Sequence, residues 1–215
     1  MIKVVSVILA RGGSKGIPDK NIIDVNGRPL IWHSINASLN SNVEETWVST
    51  DSKKISIISE GYGAMVLDRP SELATDTSQS DDSLVHFASK VDFDILVFIQ
   101  PTSPMIKSDY INQGINMVIN DGYNSVFTGY KNEWNGVWDK NMNPIGWDVY
   151  KRPRRQDVEE TMIENGMFYI TKRKNLLTSK LRYSGNIGCL EIPFYDSFQV
   201  DTYEDLDLIR TIINR

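Results

Sequence analysis

Apolar and polar positions along this chain alternate between two rhythms. Short apolar runs read as buried strands at Val4–Leu9, Thr46–Ser49, Ala64–Leu67, Ile95–Ile99, Ser125–Gly129, Gly166–Thr171 and Ile187–Ile192. Between them, apolar residues recur at helical spacing over Leu30–Leu39, Lys53–Glu60, Ser80–Lys90, Ser108–Asn120 and Tyr203–Ile213, with a shorter helix near Lys172–Leu177. In the last long helix Leu206, Ile209, Ile212 and Ile213 can share one face. Ser108 is placed to cap its helix, and Asp121-Gly122 to end it. Strand and helix in alternation predict βαβ units and a mostly parallel sheet, an α/β fold.

Both rhythms fail between Tyr130 and Glu164, a stretch rich in Asn, Trp, Arg and Pro. A long irregular segment in a compact domain points to a lid or a partner-binding arm. With no repeat or linker in view, the expectation is one domain over 1–215 with an arm at about 130–164.

Composition narrows the function classes. The chain of 215 residues is large enough to bury a core without disulfides, and its one cysteine, Cys189, cannot form an internal bridge. Within Ile187–Ile192 Cys189 reads as a small buried strand residue rather than a nucleophile. Two histidines, His33 and His86, leave little for a zinc site. A net charge of −5 argues against a general nucleic-acid binder and makes the basic run Lys151–Arg155 a local feature. No apolar run reaches the roughly 18 residues of a membrane span. Charge and glycine by Arg11 break any leader pattern, so the expected setting is cytoplasmic.

The most informative stretch is the first turn, where the apolar run ending at Ala10 meets Arg11-Gly12-Gly13-Ser14-Lys15-Gly16 and then Ile17-Pro18-Asp19-Lys20-Asn21. Glycines at 12, 13 and 16 allow close approach of backbone N–H groups to an anion, and Arg11, Lys15 and Lys20 surround the loop with positive charge. The expectation is a polyphosphate cradle whose spacing matches neither a Walker A loop nor G-x-G-x-x-G. Gln100-Pro101-Thr102-Ser103-Pro104 follows the most apolar strand, where ligands gather in open α/β sheets. Asp201, after an apolar run and before the last helix, suits either a helix cap or a hard divalent cation.

The block at 9–21 resembles the opening of the CMP-sialic acid synthetases, or acylneuraminate cytidylyltransferases. Val48–Asp51, Arg69–Ala74, Gln100–Pro104, Arg152–Asp157, Glu164–Tyr169 and Val200–Thr202 follow in the family's order over nearly the whole chain. The resemblance implies a doubly wound, Rossmann-like nucleotidyltransferase domain whose arm crosses to a second subunit of a homodimer. It also implies transfer of CMP from CTP to the anomeric hydroxyl of a nonulosonic acid, with Mg²⁺ or Mn²⁺. Alternatives are synthetases for legionaminate, pseudaminate or Kdo, or a non-catalytic nucleotide-binding relative. By the same resemblance Ala10, Arg11, Gly12, Gly13, Ser14, Lys20, Asn21, Arg69 and Ser80 face the nucleotide. Gln100, Arg155, Gln156, Asn165, Tyr169 and Gln199 are then assigned to the sugar acid, and Asp201 to the metal. Arg11, Lys20 and Asp201 form the implied catalytic set, and Phe168, beside Tyr169, reads as core. Many members carry D-x-D where this chain has Gln199-Val200-Asp201, which predicts a greater magnesium requirement here.

Overall fold

A computed structural model describes residues 2–213. Met1, Asn214 and Arg215, the ends of the expected 1–215 domain, lie outside the described residues. Seven strands form the main sheet: β1 (Val4–Leu9), β2 (Glu45–Thr50), β3 (Met65–Asp68), β4 (Ile95–Ile99), β5 (Ser125–Asn132), β6 (Thr161–Lys172) and β7 (Ile187–Glu191). Their spatial order is β7-β5-β6-β4-β1-β2-β3. All neighbours run parallel except β6, which is antiparallel to both β4 and β5.

The chain leaves β1 in one direction to build β2 and β3, then returns to place β4 on β1's other side. This reversal opens a crevice beyond the carboxyl ends of β1 and β4, the usual ligand position in such sheets.

Helices α1 (Leu30–Leu39), α2 (Lys53–Gly61) and α4 (Ser108–Ile119) cover one face, packing Ile31, Ile35, Ile55, Ile111 and Ile115 against Ile8, Val97 and Phe168. On the other face α3 (Ser80–Lys90) and α5 (Arg173–Ser179) bury Leu84, Phe87 and Leu176 against Val5, Val7 and Phe98. The sheet is therefore covered on both sides, which is why β4 reads as a continuous apolar run. Helix α6 (Tyr203–Ile212) closes a separate small core in which Leu206 and Ile209 meet Ile17, Val25 and Leu30. That core clamps the loop after β1 to the C-terminal segment.

The arm is more regular than its sequence. β5 and β6 run past the sheet as a two-stranded ribbon, Thr161 pairing Asn132 and Glu164 pairing Gly129, with a bulge before Tyr169. The expected strands Ser125–Gly129 and Gly166–Thr171 are thus each too short. The ribbon lacks one buried face, so the alternation that marks a strand fades there. Beyond it lie a small hairpin, Val137–Trp138 with Pro144–Ile145, and an edge-on group of Trp134, Trp138 and Trp147.

Helices α3 and α4 start where expected, at Ser80 and Ser108, but Ser108 is the first helical residue and not the cap: Lys107 precedes it, and its side chain does not cap the helix.

Candidate active site

A cleft of about 540 Å³ sits at the crevice where the strand order reverses. Of the residues assigned from sequence, Arg11, Ser14, Lys20, Asn21, Arg69, Ser80, Gln100 and Asp201 line it. Lys20 Nζ lies 2.7 Å from Asp201 Oδ1, joining groups 181 residues apart in sequence. Two local devices fix this meeting. Asp19 adopts a left-handed conformation (φ 55°), turning the chain into the short 3₁₀ turn Lys20–Ile22. At the other end, Thr202 caps α6 in a reciprocal box with Asp205, whose carboxylate also accepts the Asp201 N–H at 3.0 Å. Asp201 is therefore not the helix cap, and the carboxylate oxygen not facing Lys20 is free of that duty.

The loop after β1 is held from behind. Asn21 is buried, and its Nδ2 donates to the Arg11 carbonyl at 3.0 Å. Gly12 N–H donates to Asp51 Oδ1 at 2.9 Å, so this amide is committed to Asp51 and does not belong to the expected backbone cradle. Glycine is needed here for closeness: a Cβ at Gly12 would stand 3.0 Å from Ser52 Cβ, and one at Gly16 3.1 Å from the Asp201 carbonyl oxygen. Asp51 went unassigned in the sequence reading, although it directly follows β2, the strand beside β1, and so shares its rim. Ala10 is fully buried, with its N–H given to Ser49, and does not reach the cleft surface.

Arg69 forms the deep wall. It is 7% exposed, and donates from one terminal nitrogen to the Ser49 carbonyl at 2.9 Å. Its Nε has no hydrogen-bond partner among the described residues. Burial pulls its pKa down to about 10, with Asp51 opposing and Arg11 adding to the drop. Ser80, the first residue of α3, leaves its hydroxyl uncommitted to capping. Together they offer a buried donor and a hydroxyl that line the same cleft as the basic loop.

Several sugar-acid assignments fall elsewhere. Tyr169 is 3% exposed and stacks on Phe98 behind the cleft, with its hydroxyl bonded to Glu164 and Arg182 over its ring. Burial, then the Glu164 carboxylate, push its pKa up. Phe168 and Tyr169 occupy opposite covered faces, so alternation could not tell pocket from core. Asn165 is buried too: its Oδ1 accepts from Thr128 Oγ1 at 2.6 Å and from the Met167 N–H at 3.1 Å, and its Nδ2 donates to Ser197 Oγ at 2.9 Å. Gln199 Nε2 donates to the Asn165 carbonyl at 2.6 Å and to Ser103 Oγ at 3.2 Å, binding three chain segments together. Gly166 makes this possible, having φ +67° and no Cβ where one would lie 2.6 Å from that amide. Arg155 and Gln156 lie on the arm, outside the cleft, with Arg155 paired to Glu133 at 3.0 Å. Gly13 faces open space. Cys189 lies in β7 as expected but is half-buried and not buried; partial burial, with Glu191 and Glu164, pushes the thiol up to about 11.

A model of the cytidylyltransferase family matches residues 5–208. N-acylneuraminate cytidylyltransferase B of Danio rerio is 36% identical over 209 residues, covering 94% of this chain and 49% of the zebrafish protein. N-acylneuraminate cytidylyltransferase of Streptococcus agalactiae serotype V is 31% identical over 213 residues, covering 95% of this chain and 52% of that one. The chain spans about half the length of these curated relatives. Among solved structures, CMP:2-keto-3-deoxy-manno-octonic acid synthetase complexed with CTP superposes with a TM-score of 0.75 at 22% identity, covering 99% of this chain and 98% of that one. 4-Diphosphocytidyl-2C-methyl-D-erythritol synthase from Anaerococcus prevotii superposes at 0.72 and 12% identity, covering 100% and 99%. The fold is theirs, and the match along the sequence goes further: with nearly its whole length accounted for, the chain belongs to the cytidylyltransferase family.

Proposed function

We propose that this chain, as a single domain, transfers CMP from CTP to the anomeric hydroxyl of a sialic-acid-like nonulosonate and releases pyrophosphate. The observation that carries the reading is the meeting of Arg11, Lys20 and Asp201 in one cleft at the strand-order reversal. The relatives' names supply the sugar class.

The sugar's hydroxyl oxygen attacks the α-phosphorus, the bond to the bridging oxygen breaks, and the hydroxyl proton is lost to water. Such transfer asks the protein mainly for positioning and charge neutralisation. Arg11 and Lys20 hold the phosphates and meet the charge that develops on the leaving group. Arg69 and Ser80 take the base, and Gln100, at the end of β4, faces the sugar. Arg155 and Gln156 reach the sugar acid of a second copy's cleft through the arm, whose Val137, Met142, Ile145 and Tyr150 are exposed. An arginine fork suits a carboxylate.

Among the described residues no three His, Cys, Asp or Glu side chains cluster as a self-contained metal cage. One exposed carboxylate beside phosphate-binding cations instead suits Mg²⁺ or Mn²⁺, which complete their shells with phosphate oxygens and water. Asp201 would hold the ion, which would offset phosphate charge when bound.

The test is pyrophosphate release by this chain with each of the four nucleoside triphosphates against N-acetylneuraminic, legionaminic and pseudaminic acids and Kdo. Release confined to CTP with a nine-carbon sugar acid is expected. Release with Kdo alone would move the substrate class, and no release with any pair would remove the reading.

A further inference from the structure

Asp76 belongs to no assignment made above, yet it lines the cleft beside two cations of the basic loop. Its Oδ1 lies 2.7 Å from Arg11 Nη1 and its Oδ2 2.5 Å from Lys15 Nζ. One carboxylate thus bridges two cations of the loop after β1 from the opposite rim, the polar loop between β3 and α3. The pairing is a built feature of that loop. Ser78 Oγ donates to the Glu72 carbonyl at 2.8 Å, accepts the Thr75 N–H at 3.2 Å and lies 2.6 Å from Thr75 Oγ1. Asp76 sits at the tip of this braced turn.

We propose that Asp76 is an internal competitor for the nucleotide's phosphates, an anion of the chain itself that must leave Arg11 and Lys15 before a triphosphate can engage them fully. The inference rests on the cytidylyltransferase reading only for the identity of the ligand; the competition itself requires any polyphosphate. A guanidinium edge and an ammonium that face one carboxylate cannot offer the same hydrogens to a phosphate, and the phosphate carries more charge. Both pairs are partly solvated: the side chains of Arg11, Lys15 and Asp76 are 32%, 79% and 39% exposed. Pairs of that kind are weak enough to be displaced, and losing both changes affinity by about threefold to tenfold. The same exchange helps products leave, because Asp76 can reclaim its cations as pyrophosphate departs. The rim loop is thereby closed by one anion and opened by another.

Calorimetric titration of the chain with inorganic tripolyphosphate and with CTP, each with and without Mg²⁺, tests this for wild type, Asp76→Asn and Asp76→Glu. Asp76→Asn should bind both ligands about threefold to tenfold more tightly, and pyrophosphate should inhibit it at correspondingly lower concentration. Asp76→Glu, which keeps the charge, should stay close to wild type. Unchanged or weaker binding by Asp76→Asn would overturn the proposal, and weakening only with Mg²⁺ would make Asp76 a metal ligand instead. Failure of wild type to bind tripolyphosphate would also overturn it. CTP binding no tighter than tripolyphosphate in wild type, with tighter tripolyphosphate binding by Asp76→Asn intact, would count against the nucleotide reading and leave this one standing.

Discussion

The cleft and the arm hold their positive charges in opposite ways. In the cleft, Arg69 is 7% exposed and the Lys20 side chain 17%, the first just past the end of β3 and the second at the start of a short 3₁₀ turn. On the arm, the Arg154 and Arg155 side chains are 73% and 66% exposed and pair with neighbours Asp157 and Glu133 on the same arm. Arg152 lies over Trp134 and Trp147. Partly desolvated charge interacts strongly and stays put, whereas solvated pairs contribute little and exchange partners readily. Lys20 and Arg69 are therefore fixed by their own surroundings, while the arm's cations, like Lys15 on the cleft rim, sit in solvated pairs free to exchange partners.

The sharpest way to break this contrast is to remove a charge from each region. Lys20→Ala takes away the cation proposed above to meet the developing phosphate charge. Turnover should fall by about two to three orders of magnitude, as when one preorganised donor is lost from a reacting centre. Asp201→Asn should be comparably impaired at every magnesium concentration. Melting temperatures near wild type would show that chemistry, not folding, was lost. A Lys20→Ala enzyme with wild-type pyrophosphate release would take Lys20 out of the mechanism.

Arg155→Ala is the matching change on the arm. If that arginine meets the sugar acid of a second copy, KM for the sugar should rise about tenfold while KM for CTP barely moves, reflecting one charge-assisted contact. Equal shifts in both constants, or none, would return Arg155 to an ordinary surface pair with Glu133.

The same contrast sets what could be read from sequence. β1, β4 and the loop between Arg11 and Asn21 were legible because an apolar run against glycines and cations is a local pattern with a local cause. Asp201 was legible as an anion after an apolar run, and its closeness to Lys20 follows from the topology. Tyr169 was misplaced because β6 is covered on both faces there, so neighbouring side chains look equally plausible as pocket or core; Asn165 was misplaced because its amide is held by Thr128 and Ser197, partners distant in sequence. Asp76 was missed although it lies in the polar loop between Arg69 and Ser80, since nothing local says which rim an acidic loop residue will face. The arm's ribbon strands were missed because their partner is the other half of the same arm, and neither half has a buried stripe.

Gln199 joins the two regions, and the smaller effect expected there sharpens the boundary between them. Its amide donates to the Asn165 carbonyl and to Ser103, and the next residue, Val200, donates its N–H to the Thr102 carbonyl at 2.8 Å. A carboxylate at 199 would lose both side-chain donations and face a carbonyl oxygen. Gln199→Asp should cost roughly 1–3 kcal/mol, seen as a melting temperature lower by about 3–10 °C. The magnesium requirement tells the alternatives apart. The expectation drawn from D-x-D relatives is tighter saturation in Gln199→Asp, whereas an amide serving as a tie predicts lower stability with no gain in magnesium affinity.

The smallest effect is expected at Cys189, which sits at the root of the arm. A Cβ on Gly129, where β5 leaves the sheet, would stand 3.2 Å from its sulfur and 2.7 Å from the Ile163 carbonyl oxygen, so the ribbon is tightly packed there. Burial, then Glu191 and Glu164, hold the thiol protonated up to about pH 11. Because the shift is upward, the thiolate grows as pH rises; at pH 8 only about one thiol in a thousand is ionised. Iodoacetamide at pH 8 should leave both the thiol and turnover essentially untouched, with alkylation accelerating about tenfold per pH unit toward 11. Rapid alkylation at pH 8 would mean that the arm's root opens in solution. Were turnover lost along with the thiol, the independence of cleft and arm would fail at the point where the two are joined.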